Sequence, residues 1–273
     1  MTRHTDVALR AQTGGSAPRW TAAFAMWWLQ YKRVWKGSLI SRFLLPVMFL
    51  VSIGVMLGGV VDDRAGGVDG VPYLQFVVPG ILAAQAMFVA MGESTYSVTG
   101  AIRWNMQYHA MLATPLTVAD VLIGHLAYVA VSVSMAAVVF VGVGAAFGAW
   151  VSWWVLAAIP LVVLTGMAFS VPCFAFGAQV RDNTEMGYSL LFRFVMTPLF
   201  LFSGTFFPVE QLPALLRPLA WATPLWHGVA ASRDLALGSP DWRMLAVHTT
   251  YLVVFVGLSG WWALRAFRGR LLV

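Results

Sequence analysis

The side chains that could do chemistry in this chain are few, and most of them sit inside apolar runs. The densest group is Ser189, Arg193, Thr197, Phe200 and Gly204, which share one face at helical spacing. An arginine within an apolar helix is costly. Such a stripe reads either as the wall of a path for an amphipathic cargo or as an arginine that snorkels to the headgroups. Gln85, Glu93 and Tyr96 form a second set in another apolar segment, where Glu93 fits a structural pair with a cation. His125 fits a hydrogen-bonded packing residue better than a ligand. Ser203, followed by Gly204, together with His248 offers the nucleophile and base of an intramembrane serine protease. Against that reading, Leu201 stands where a Gly-x-Ser-Gly turn needs glycine. No catalytic residue is therefore assigned. No His, Asp or Cys group has metal-ligand spacing, so no metal is expected. Cys173, the one cysteine, reads as a small packing residue.

The elements that must position these groups are membrane helices. Hydrophobic residues make up 60% of the chain and charged ones 10%, a balance that excludes an ordinary soluble domain. Six apolar segments, near 43–61, 74–97, 118–147, 152–177, 188–207 and 245–264, mostly reach the ~20 residues a spanning helix needs. The fold class is thus all-α, an integral membrane protein with six transmembrane helices. Arg3, Arg10, Arg19, Lys32, Arg33, Lys36 and Arg42 precede the first span, and Arg265, Arg268 and Arg270 follow the last. Arg103 and Arg181 fall between spans two and three and spans four and five. All of these lie on one side, which the positive-inside rule makes cytoplasmic, with both termini there. The net charge of +6 is placed to meet anionic lipid headgroups, and no basic run tracks a nucleic acid. Abundant alanine and an excess of arginine over lysine point to a bacterial source and so to its plasma membrane. A polar arm ahead of the first span argues against a cleaved signal peptide.

Residues 1–17 read as a flexible cytoplasmic arm. Over 18–37, Trp20, Phe24, Trp27, Trp28, Tyr31 and Trp35 fall on one helical face, with Lys32, Arg33 and Lys36 on the other. That pattern predicts an amphipathic helix lying in the membrane interface, ahead of a single transmembrane domain over 38–273. Between spans two and three, Trp104, Tyr108, Met111 and Leu112 recur at helical spacing until Pro115 interrupts. Thr117 and Asp120 then form a capping box for the next span. This is a short helix parallel to the membrane, fit either to transmit force from a cytoplasmic partner or simply to rest at the interface. From 203 to 241, Pro208, Pro213, Pro218, Pro224 and Pro240 cut an apolar loop into pieces too short to span. These predict re-entrant helices before the last span, forming either an exit gate or a plain seal; backbone at that depth must be buried in protein or line a cavity.

Four stretches carry a resemblance: Val78-Pro-Gly-Ile-Leu-Ala-Ala-Gln-Ala-Met87, Tyr108-His-Ala-Met-Leu-Ala-Thr-Pro-Leu116, Leu201-Phe-Ser-Gly-Thr-Phe-Phe-Pro-Val-Glu-Gln-Leu-Pro213, and Pro224-Leu-Trp-His-Gly228 followed by Arg233. In this order they resemble the membrane subunit of type-2 ABC exporters. Within that group the look is nearest to the nodulation-factor (lipo-oligosaccharide) and daunorubicin-type drug permeases. The resemblance implies a dimer of permease subunits, homomeric or of related chains, with two copies of a cytoplasmic ABC ATPase. ATP and magnesium would then be bound by that partner and no cofactor by this chain, which has no Gly-x-x-x-x-Gly-Lys-Ser/Thr loop. It further implies a coupling region with Arg103, Trp104, Tyr108, Met111, Leu112, Thr114 and Pro115, and an outer gate with Phe206, Phe207, Pro208, Trp226 and His227. Members of the group often carry an acidic residue just before the Met-Leu-x-Thr pair, where this chain has Tyr108-His109-Ala110. Gln85, Tyr96, Ser189, Arg193, Thr197 and Phe200 are the candidates for the substrate path. The cargo expected is a drug, a glycolipid or a lipid-linked saccharide moved outward. An ion-coupled secondary transporter is the alternative, but it calls for acidic residues near the midplane and inverted repeats, and neither is evident.

Overall fold

The computed structural model describes residues 18–180 and 184–272, and these are helical, without strands. The expected arm over 1–17 and the loop arginine Arg181 lie outside the described residues.

The first helix, α1, begins at Trp20 and runs on where a separate interfacial helix was expected to end. Its α-helical part, Trp20–Phe49, passes through a π-helical stretch, Leu50–Leu57, into Gly58–Ala65. The division expected at 37 therefore falls within one continuous helix. Part of the aromatic face is covered by protein: Ala23, Trp27 and Tyr31 are buried against α4 (Val118–Ala146), while Trp35 is exposed. Gly124 of α4 makes this approach possible, because its missing Cβ would sit 2.8 Å from the backbone of Trp20 and Phe24. Lys32, Arg33 and Lys36 stay exposed and Trp35 is exposed with them, so only Trp27 and Tyr31 of the expected aromatic face turn fully to protein.

Next comes α2, Tyr73–Ser94, extended by Tyr96–Thr99 and a π-helical turn at Gly100–Trp104. It is the central helix: 78% of its most apolar window is buried, against 22% for the span within α1 and 17% for the last helix. The short α3 (Gln107–Leu112) follows, entered through Met106, whose φ of 51° reverses the chain. Non-glycine residues in that left-handed region carry a cost of about 1–3 kcal/mol. The capping box of Thr117 and Asp120 then starts α4 as its sequence predicts.

Beyond α4 lie α5 (Val155–Gln179) and α6, which joins Thr184–Leu191, a π-helical stretch Phe192–Met196 and Thr197–Phe202. Two short helices, α7 (Arg217–Trp221) and α8 (Pro224–Ala236), precede the long α9, Trp242–Leu271. Among the described residues, five helices are long and apolar enough to cross a membrane, and the apolar part of α6, Met186–Phe202, is shorter. The span expected over 188–207 thus ends five residues early. Gly204, with φ of 78°, takes a left-handed conformation that stops the helix. α2, α4, α5 and α9 form the bundle, α1 runs along α4, and α8 wedges between α2, α5 and α9.

Candidate functional site

One end of the bundle carries α3, and a single buried aromatic cluster holds it there. Tyr108 is fully buried, and its hydroxyl lies 2.6 Å from His125 Nδ1 of α4. Burial holds the phenol well above its ordinary range, so Tyr108 stays protonated and donates. The imidazole must then accept at Nδ1 and carry its hydrogen on Nε2. Its ring stacks on Trp27 of α1 at 3.6 Å and meets the edge of Phe174 of α5 at 4.8 Å. Phe267 of α9 completes the set, 5.6 Å from Tyr108. Four helices therefore meet beneath α3.

This placement sorts the seven residues expected to couple. Tyr108 and Met111 face inward, so they hold α3 in place and offer a partner no surface. Leu112 and Arg103 are half-buried. Trp104, Thr114 and Pro115 are exposed, together with Met106 and Ala110. The Thr114 hydroxyl donates back to the Met111 carbonyl, and Arg19 reaches the Pro115 carbonyl at 3.4 Å. Between the start of α1 and this turn lies a mostly apolar cleft of about 680 Å3, bordered by Met26, Gln107, Ala110 and Leu116. The helical spacing of Trp104, Tyr108, Met111 and Leu112 is real, but it marks the anchoring face more than the exposed one.

The opposite end is closed by the chain from Ser203 to α8. Here Arg233, half-buried on α8, donates from Nε to the Phe76 carbonyl (3.0 Å) and from Nη2 to the Gly204 carbonyl (2.7 Å). Its guanidinium lies 3.8 Å over the Phe76 ring. Desolvation lowers its pKa to about 10, opposed by Asp69, Asp234, Glu210 and Tyr73, so it remains charged at neutral pH. Tyr73 adds a hydrogen bond to the Phe206 carbonyl, 3.2 Å. One cation thus pins the break after α6 to the start of α2. Sequence reasoning gave Arg233 no role of its own; the signal was a lone arginine in an apolar, proline-bounded segment.

The five expected gate residues do not form one surface. Phe206 turns to Phe200 of α6, 4.9 Å away, whereas Phe207 packs with Trp226 over Val209, Leu212 and Ala220. Pro208 is half-buried and opens a short 3-10 turn, Val209–Gln211. His227 is buried, with its Nδ1 2.8 Å from His248 Nδ1 and its ring stacked on Tyr251 at 3.8 Å. One of the two nitrogens must carry the shared hydrogen. Burial, and then His248, lower the His227 pKa to about 4. Ser203 pairs with Thr223 (Oγ to Oγ1, 3.1 Å), so the serine and His248 each engage a different partner and form no nucleophile–base dyad.

Between the ends, Ser189, Arg193 and Thr197 form an exposed polar stripe along α6, with Phe194 beside them. Arg193 sits in the π-helical stretch, and such irregular turns recur at functional sites. The other three path candidates lie apart from the stripe. Phe200 packs on Phe88 and Phe206. Gln85 is buried within α2. Tyr96 is exposed at the base of α6, against Tyr188 at 5.4 Å. Glu93 accepts hydrogen bonds from Ser132 (2.9 Å) and Tyr128 (3.5 Å) of α4. Cys173 is buried, as its apolar setting predicts.

Comparison with known proteins agrees with this architecture. Residues 21–237 match the family described as ABC-2 type transporter. Nodulation protein J of Rhizobium leguminosarum bv. viciae is 31% identical over 240 residues, covering 87% of this chain and 89% of that protein. Nodulation protein J of Rhizobium meliloti (strain 1021) is 32% identical over 224 residues, 81% and 82% of the two chains. The inner membrane transport permease YadH of Escherichia coli (strain K12) is 25% identical over 249 residues, 87% and 91%. The chain belongs to the ABC-2 type transporter family, as a multi-pass membrane permease.

Proposed function

We propose that this chain is the transmembrane subunit of an ATP-driven exporter that moves an amphipathic drug, glycolipid or lipid-linked saccharide outward across a bacterial inner membrane. The observation that carries the proposal is the exposed stripe of Ser189, Arg193 and Thr197 on a membrane helix. Arg193 lies nine residues into α6, roughly 14 Å along the axis from Thr184. A charged side chain facing lipid at the bilayer centre costs about 2.5–3.5 kcal/mol or more. A second permease subunit covering this face would enclose the stripe in a shared polar path. The exposed apolar side chains Phe43, Met48, Val55 and Met56 of α1 supply further surface for such a pairing.

Energy comes from a separate ATPase, two copies to a dimer, docked on the exposed rim of α3 at Trp104, Met106 and Ala110. The basic residues flanking the spans support a cytoplasmic position for this end and both termini. The Arg233-pinned cap then faces outward as the gate. Name and similarity of the relatives support a nodulation-type cargo as one candidate, and the mixed polar and aromatic stripe suits an amphiphile better than an ion.

The test is transport in inverted membrane vesicles, offering a fluorescent lipo-oligosaccharide or an anthracycline. Accumulation that requires ATP and is blocked by vanadate supports the reading. Accumulation driven by a proton gradient without ATP overturns it in favour of ion coupling.

A further inference from the structure

Two adjoining cavities follow the seam between α5 and α9. The first, about 290 Å3, is lined almost wholly by apolar side chains, with α6 closing it through Leu191, Met196 and Leu199. The second, about 320 Å3, opens nearer the C-terminal end of α9, between Gln179, Arg265 and Arg270. Their linings form one continuous face. Pro172, Phe176 and Gln179 on α5 are spaced by four and three residues, and Phe255, Trp262 and Ala266 on α9 by seven and four. Each cavity is at or near the lower end of the roughly 300–1,000 Å3 typical of ligand sites.

We infer that this seam binds one anionic glycerophospholipid of the surrounding bilayer, its acyl chain in the apolar cavity and its phosphate at Arg265 and Arg270. The dimensions fit. Phe255 to Arg270 spans about 22 Å of helix, half of a bilayer that measures about 40–45 Å with its headgroups. Arg265 is held ready by its own helix, with its guanidinium 4.2 Å over the Trp261 ring. At this depth the cavity wall offers a phosphate nothing except at the arginine end, and that end offers a hydrocarbon chain little. Only an amphiphile satisfies both.

The occupant is a resident lipid rather than cargo. Leu191 and Leu199 face the cavity, whereas Ser189, Arg193 and Thr197 lie half a turn away around α6. A bound acyl chain would therefore brace α6 against α5 and α9 from behind while the polar stripe stays free for transport. The inference rests on the membrane placement of the chain and not on the direction or cargo of transport.

Native mass spectrometry of the full chain in detergent, titrated with phosphatidylglycerol or phosphatidylcholine, tests it. One phosphatidylglycerol should bind more tightly than phosphatidylcholine. At ~1 kcal/mol per arginine, Arg265→Gln or Arg270→Gln should each weaken it about fivefold and the pair roughly thirtyfold. Arg268→Gln, one turn away but outside the cleft, should change it less than twofold. Val195→Trp, filling the apolar cavity, should weaken both lipids alike. Should the paired variant fail to purify as a monodisperse species, the two single variants decide. Equal binding of the two lipids by the unaltered chain overturns the inference, and so does an Arg268→Gln effect as large as the others. Loss of the lipid during ATP turnover of the assembled transporter would make it cargo and overturn residence.

Discussion

Gly124→Ala adds one methyl group where α4 meets α1, and its effect separates two placements of the N-terminal helix. The new Cβ would lie 2.6 Å from the Ala23 Cβ and 2.8 Å from both Phe24 N and Trp20 O. Carbon contacts settle near 3.5–4.0 Å, so the helices must part by about 1 Å. Two of the three obstructing atoms are backbone, which no rotamer change can move. Parting them also lifts Trp27 off His125, now at 3.6 Å. Overpacking of this kind costs about 1–3 kcal/mol, while alanine for glycine in a helix returns up to ~1 kcal/mol. The net expectation is a loss of up to about 2 kcal/mol, and Gly124→Leu should lose more. Thermal unfolding of the purified chain in detergent, followed by tryptophan fluorescence, reads the difference. Ala23→Gly in the same chain should restore part of the loss by removing the nearest atom. If α1 instead lay apart from α4 in the membrane interface, only the propensity gain would remain. A raised midpoint for Gly124→Ala would refute the packed arrangement.

Other consequences are as direct. Arg233→Leu strands the Phe76 and Gly204 carbonyls, which should cost about 2–6 kcal/mol at 1–3 kcal/mol for each; Arg233→Lys should fall between, and equal midpoints for all three chains would contradict the pinning role. His227 has a folded pKa below its ordinary 6.5, so the native state holds fewer protons than the unfolded one, and stability should fall as pH drops from 6.5 toward 4. Melting at pH 7.5 and 5 checks this: His227→Phe, which keeps the ring over Tyr251 but drops the contact to His248, should flatten that response, and an unchanged slope would exclude the pair as its source. Met106→Asp and Ala110→Asp, both on the exposed rim of α3, should abolish transport while leaving the midpoint within about 0.5 kcal/mol, as surface changes do; Met111→Asp, buried beneath them, should instead unfold the end.

The spans were legible because lipid leaves the chain no choice: long apolar helices are the way it can satisfy its backbone there. The capping box at Thr117 was legible for a similar reason, being local in sequence. What the pattern could not decide was which surface covers an apolar face. Trp27 and Tyr31 recur as an interfacial helix would have them, and only the approach at Gly124 turns them to protein. Tyr108 and Met111 are the same case at α3, where amphipathic spacing is equally good for gripping the bundle or a partner. The early end of α6 depends on the φ of Gly204, and the cap depends on two carbonyls, 157 and 29 residues from Arg233 along the chain. The glycine and the lone arginine are visible in the sequence, but neither says which turn the helix takes or which carbonyls the cation meets. For the path, one helix supplied its own evidence: Ser189, Arg193 and Thr197 share a face by spacing alone, while Gln85, Tyr96 and Phe200 belong to other surroundings.

The measurement that bears most directly on the central claim is purification of the tagged chain in mild detergent from its native host, followed by native mass spectrometry of what accompanies it. The account predicts an assembly of two permease subunits with two ATPase subunits that carry the Walker phosphate loop. A folded, monodisperse chain that reproducibly emerges without any ATPase would contradict it.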